Sequence, residues 1–268
     1  MTLLRSFIPV IALVLATVPA AAHELWIEPV VPWVEPEGRI EAHLVNGELF
    51  GGTRLSYLPG RIERFELHLG DSAVPVDGRI GDVPALSMPA LGAGLHVALY
   101  QSGPATLRYD SYDKLGAFAA HKDLGDIAAM NAARGLPAAP VTETYRRFSK
   151  ALIVVGDGAG EDRRFGLETE FVALDRPAAG APMRLQLFGP DGPRADVQAE
   201  LFDRAPDGTV AVTLLRTDAA GIVTLRPEAG HDYMADSVIL RIPDAAVAAE
   251  TGADWETLWA NIVFRLPP

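Results

Sequence analysis

Polar and apolar residues alternate with a period of two through much of the chain, the pattern of half-buried β-strands. In residues 39–45, Ile40, Ala42 and Leu44 fall on one face, with Glu41 and His43 on the other. Residues 61–69 alternate again and turn Ile62, Phe65 or Leu67, and Leu69 inward. Further strands are expected over 24–29, 94–100 and 105–109, with turn signals at Asn46-Gly47 and Gly51-Gly52.

The texture changes near Ser111. Residues 111–134 are rich in Ala, Leu, Lys and Asp and predict one or two helices, interrupted at Gly116 and Gly125 and ended by Gly135. Residues 142–150 predict a short basic helix with Thr142 as its cap, leading into an apolar strand at 151–155. A strand follows over 165–174, and residues 175–182 read as a linker. Beyond it, strands are expected at 183–188, 197–202, 210–216, 222–225, 233–241 and 258–266, with a hairpin turn at 217–221 and a helical or irregular crossing over 243–253. Trp255 and Trp259 are four apart, the spacing of one helical turn, and read as core packing. The reading is all-β, with two β-sandwich domains. The first covers 23–174 and carries a short helical insertion at 111–150; the second, immunoglobulin-like, covers 183–268.

The first 22 residues read as a secretory signal. Arg5 supplies the positive start, residues 6–18 are a short apolar run, and Ala20-x-Ala22 is a cleavage site. The run is too short to span a bilayer, so export to the periplasm with removal of the signal is expected. A formal net charge of −12 disfavours nucleic acid and anionic lipid as partners. With no cysteine, the exported chain has no disulfide and no thiolate for a metal. Any transition-metal ligands must then be imidazole, carboxylate, thioether or backbone, a set suited to nickel, cobalt, copper or zinc.

Cleavage after Ala22 would make His23 the first residue of the mature protein, with an amine and an imidazole on one residue. Adding one more imidazole would complete a three-nitrogen, T-shaped site of the kind square-planar Cu(II) or Ni(II) accepts. Five other histidines are available, none at i, i+4 with another. His121 is preferred as the partner because an inserted segment can reach back to the N-terminus, then His43, then His231. His43 and His68 otherwise read as surface residues and His96 as a hydrogen-bonded strand residue. Gly156-Asp-Gly-Ala-Gly160 lacks a following helix, so it reads as a turn and not a phosphate loop. No serine-hydrolase elbow, zinc-protease helix or nucleotide loop occurs. An enzyme is therefore not expected; the alternatives are a copper histidine-brace redox enzyme, or a structural or adhesion sandwich without metal.

The opening Ala22-His-Glu-Leu-Trp-Ile-Glu-Pro29 resembles the start of the DUF4198 family, exported bacterial proteins grouped with periplasmic components of nickel and cobalt uptake. Residues 61–65, 145–152, 216–221 and 255–259 are also similar to family segments. The resemblance implies a periplasmic all-β protein linked to transition-metal handling, with a membrane metal-transport component as a partner. One departure is Ser237-Val-Ile239, where many members carry a histidine.

Overall fold

The computed structural model describes residues 24–266; the signal segment and His23 lie outside the described residues. The chain opens with β1 (Glu24–Pro29), β2 (Trp33–Val34), β3 (Arg39–Glu48), β4 (Gly51–Leu55), β5 (Ile62–Leu69), β6 (Ser72–Pro75), β7 (Leu86–Pro89), β8 (Gly94–Ser102) and β9 (Ala105–Tyr109). Two helices follow, α1 (Tyr112–His121) and α2 (Ile127–Ala133), then β10 (Val141–Val155) and β11 (Glu170–Ala173). The remainder is β12 (Met183–Gly189), β13 (Gly192–Pro193), β14 (Gln198–Arg204), β15 (Val210–Arg216), β16 (Ile222–Leu225), β17 (Asp232–Arg241), α3 (Ala245–Thr251) and β18 (Trp255–Arg265).

These strands form an all-β, sandwich-like fold around one ten-stranded sheet. Its main path is β15-β14-β17-β18-β10-β8-β5-β6, with β2 and β9 attached to β10. The sheet takes strands from both sides of the linker, because β10 and β18 pair in parallel from Glu143↔Trp255 to Ala151↔Val263. A sheet of β1, β3, β4 and β7 covers one face; one of β11, β12, β13 and β16 covers the other. Alternation within the central strands supplies both cores. Ile153, Val155 and Val263 pack towards Trp26, Ile27 and Leu44. Leu152, Ile262 and Phe264 pack on the opposite side, towards Phe171, Leu185 and Leu187. The helices shield the rest of the first face, setting Leu115, Phe118 and Ile127 against Trp255, Trp259 and Val238.

Several elements differ from expectation. Residues 142–150 are strand, not helix: this segment buries Glu143, Arg147, Ser149 and Lys150 in a sheet covered on both faces. Trp255 and Trp259 also lie on a strand, where a spacing of four keeps them on one face. Gly116 does not break α1; a Cβ there would come 2.7 Å from the Tyr112 ring, so the glycine makes room for that ring. The turn at 217–221 joins β15 to β16, which belong to different sheets, and so is a crossing and not a hairpin. Its Asp218 side chain accepts from Ala220 N and Ile222 N.

Candidate functional site

Where β1 begins, four ionisable side chains from distant segments meet out of water. Glu24 opens β1, Glu200 lies on β14, Asp236 on β17, and Lys122 just past the end of α1. Helix α1 closes with Lys122 N–H donating to Phe118 O, and Asp123 then takes a left-handed backbone (φ 55°). The stop directs Lys122 inward. Its Nζ lies 3.0 Å from Glu24 Oε1, 2.8 Å from Glu200 Oε2 and 3.0 Å from Asp236 Oδ2, and all four side chains are buried. The three carboxylates offer oxygens within 4.8 Å of one another, spacing that would suit a cation. The Lys122 ammonium is that cation.

The neighbourhood holds a second positive charge. Arg147 stacks over Trp259 at 4.9 Å, and Lys122 Nζ stands 5.2 Å from the same ring, whose other neighbour is the stacked Phe118. Beyond Arg147, Glu143 accepts from Tyr109 Oη at 2.7 Å and from Thr257 Oγ1. Four buried carboxylates thus share two cations. Burial raises Glu24 to about 7 against the pull of Lys122. It also pushes Asp236 and Glu143 upward, and Asp236 Oδ1 has no hydrogen-bond partner among the described residues. Burial works against the Lys122 ammonium too, but attraction by Asp236, Glu24 and Glu200 outweighs it and raises its pKa.

His121, the histidine next to Lys122, sits on the outer rim of this cluster. Its Nε2 lies 3.0 Å from Glu200 Oε1 and its side chain is 58% exposed. The backbone is fixed by Gln198 Nε2, which donates to His121 O at 2.7 Å. No partner of His121 Nδ1 occurs among the described residues. The helical segment therefore does bring His121 to the N-terminal end of β1, joined to Glu24 through Glu200 and Lys122.

The other histidines lie elsewhere. His43 is opposite Glu28 in the β1–β3 ladder, whereas Glu24 is opposite Gly47, so His43 is four residues, about 13 Å, along the strand. It is buried and not on the surface, and burial lowers its pKa. His231 precedes β17 and holds Asp203 at 2.6 Å, five residues from Asp236. His68 is also buried, bonded to Glu66 at 2.9 Å. His96 is fully buried; its Nε2 accepts from Leu91 N at 3.0 Å, and its Nδ1 lies 3.2 Å from Gly94 O. Ser237, at the departure from the family pattern, donates to Gln198 O at 2.8 Å. The sequence reading missed Lys122, Glu24, Glu200 and Asp236 as a group. The available signal was a carboxylate at an inward position in each of three apolar strands.

Fold and site together define an all-β sandwich protein with a buried ion cluster beside an exposed imidazole. Residues 20–240 match the family described as "Domain of unknown function (DUF4198)", and the chain belongs to that family. No curated protein matches it. Among solved structures, one described as "Crystal structure of tetra-tandem repeat in extending region of large adhesion protein" is similar at 9% identity and a TM-score of 0.21. The alignment covers 91% of this chain and 49% of that one, so the chain spans about half its length. No helix among the described residues is long and apolar enough to cross a membrane.

Proposed function

We propose that the protein is an exported, periplasmic transition-metal-binding protein that passes nickel, cobalt or copper to a membrane metal-transport component, and acts by binding, without catalysis. The metal would be held by the amine and imidazole of His23 and by the imidazole of His121. The observation that carries this reading is the seat of His121: a solvent-facing imidazole on Glu200, linked through three ion pairs to Glu24, the residue that follows His23. The donor chemistry fits. Glu200 takes His121 Nε2, which leaves Nδ1 as the nitrogen with a free lone pair, the arrangement in which a carboxylate orients a metal-binding imidazole. The carboxylate triad is not itself assigned the metal, because Lys122 fills it.

Intact mass of the exported protein tests the first requirement: a mature chain beginning at His23 is expected, and any other start overturns the reading. Titration with Ni²⁺, Co²⁺ and Cu²⁺ tests the second. His23→Ala and His121→Ala are each expected to weaken binding by about tenfold or more, while His43→Ala and His231→Ala bind as the wild type does. Equal binding by all of these proteins would remove His23 and His121 as ligands.

A further inference from the structure

A second feature lies at the edge of the central sheet, apart from the ion cluster. Strand β17 pairs with β14 only from Arg204↔Asp232 to Glu200↔Asp236, but with β18 along its whole length to Arg241↔Glu256. Past Asp236, β17 therefore has a neighbour on one side only. A cleft of about 670 Å³ runs along the open side at residues 238–241. Asp123 and Leu124 wall it on one face of the sheet, and the 189–194 hairpin walls it on the other. Val197, where the chain enters β14, closes one end.

Arg194 stands at that closed end. Its Nη2 donates to Val238 O at 2.7 Å and its Nη1 to Ser237 Oγ at 3.2 Å. The fold makes room for this side chain: a Cβ on Gly189 would come 3.1 Å from Arg194 Cδ. Arg194 forms no direct ion pair among the described residues; burial lowers its pKa to about 10 against the attraction of Asp236. The other charged side chains nearby are engaged, Asp123 with Arg216 and Arg241 with Glu168 and Glu256; Asp191 is exposed on the hairpin. Because Val238 O faces the cleft, Val238 N–H and the N–H and C=O of Leu240 face it as well, since alternate residues of a strand bond to the same side.

We infer that this cleft binds the C-terminal end of an extended peptide, added to β17 as an antiparallel strand with its terminal carboxylate on Arg194. Beyond Val238, which is capped by Arg194, three residues of open edge, about 10 Å, match the last three residues of a peptide. The added strand would lie where β14 would run had it begun earlier. Its chain must end at Arg194 because Val197 blocks the way, which selects a terminus over an internal acidic side chain. The guanidinium without an ion pair supplies the matching charge.

Titration of the full-length mature protein with acetyl-Val-Thr-Val-Val, as the free carboxylate and as the C-terminal amide, tests this by amide NMR. Shifts and slowed exchange at Val238 and Leu240 are expected with the carboxylate, and at least about tenfold weaker binding with the amide. Arg194→Met should abolish the preference between the two peptides. Unmoved Val238 and Leu240 signals at millimolar peptide, or equal binding of the two forms by the wild-type protein, would overturn the inference.

Discussion

One carboxylate, Glu200, holds His121 Nε2 at 3.0 Å with one oxygen and Lys122 Nζ at 2.8 Å with the other. Two residues adjacent in sequence are thus drawn to the same side chain, one exposed and one buried. Their positions are coupled, and so are the consequences of changing either.

Glu200→Gln is expected to disturb both partners. The amide keeps an acceptor for His121 but leaves Lys122 with less counter-charge in a buried setting, at a cost of about 3 kcal/mol in urea unfolding. In the metal-binding reading, the same substitution lowers metal affinity by about 10–100-fold. Unchanged stability would show that the network is looser than its distances imply.

Lys122→Met removes the one ammonium that the described residues place among the three buried carboxylates. The expected loss is about 3–5 kcal/mol at pH 7, because uncompensated buried charge is more costly than a missing contact. The loss should shrink at pH 5, where Glu24, raised by burial to about 7, neutralises by taking a proton; burial pushes Asp236 in the same direction. A loss of the same size at both pH values would count against charge as the cause.

Glu24 makes stability depend on pH with a definite sign. Its carboxyl titrates near 4.5 in the unfolded chain and about 7 in the folded one, so folding takes up a proton across that window. Stability conferred on the protonated form is therefore lost as pH rises from about 4.5 to 7. His43, His68 and His96, all lowered by burial, act oppositely below 6.5. The clean measurement is the difference between wild type and Glu24→Gln: the wild type should lose ground to the variant as pH rises. A difference that does not change with pH would contradict the assignment.

Gly47 and Gly52 face each other where β3 meets β4. A Cβ on Gly47 would overlap Gly51 O and stand 2.5 Å from Gly52 Cα, both backbone atoms of the neighbouring strand. Gly47→Ala is expected to cost about 2 kcal/mol or more and to loosen β4. Gly60→Ala, with nothing within 4 Å of the new methyl, should stay within about 0.5 kcal/mol. Thermal melts of the pair test the contrast.

The strands that face one core and one polar layer were legible in the sequence, because one-sided burial writes a period-two pattern. Strands β3 and β5 are of this kind; β8, buried on both faces, was legible as a continuous apolar run instead. The first part of β10, residues 142–150, was not legible, although its apolar end at 151–155 was. Its inward residues include Glu143, Arg147 and Ser149, and its other face buries Lys150 against Asp162. Charged residues that favour solvated helices are here neutralised by partners far along the chain. The same physics hid the candidate site. Lys122 is 98 residues from Glu24, 78 from Glu200 and 114 from Asp236, so local spacing records none of it. Only His121 was legible, because its segment broke the strand pattern.

The parallel pairing of β10 with β18 has a kinetic consequence. Residues 255–265 occupy the middle of the ten-stranded sheet, and Asn261 ties Leu25 O to Ser149 across it. Until that segment arrives, β17 and β10 have nothing between them, and the halves of the sheet cannot join. Contacts of such long sequence separation form slowly. The sheet therefore stays open until β18 docks between its two halves, and the order of assembly follows from the strand order.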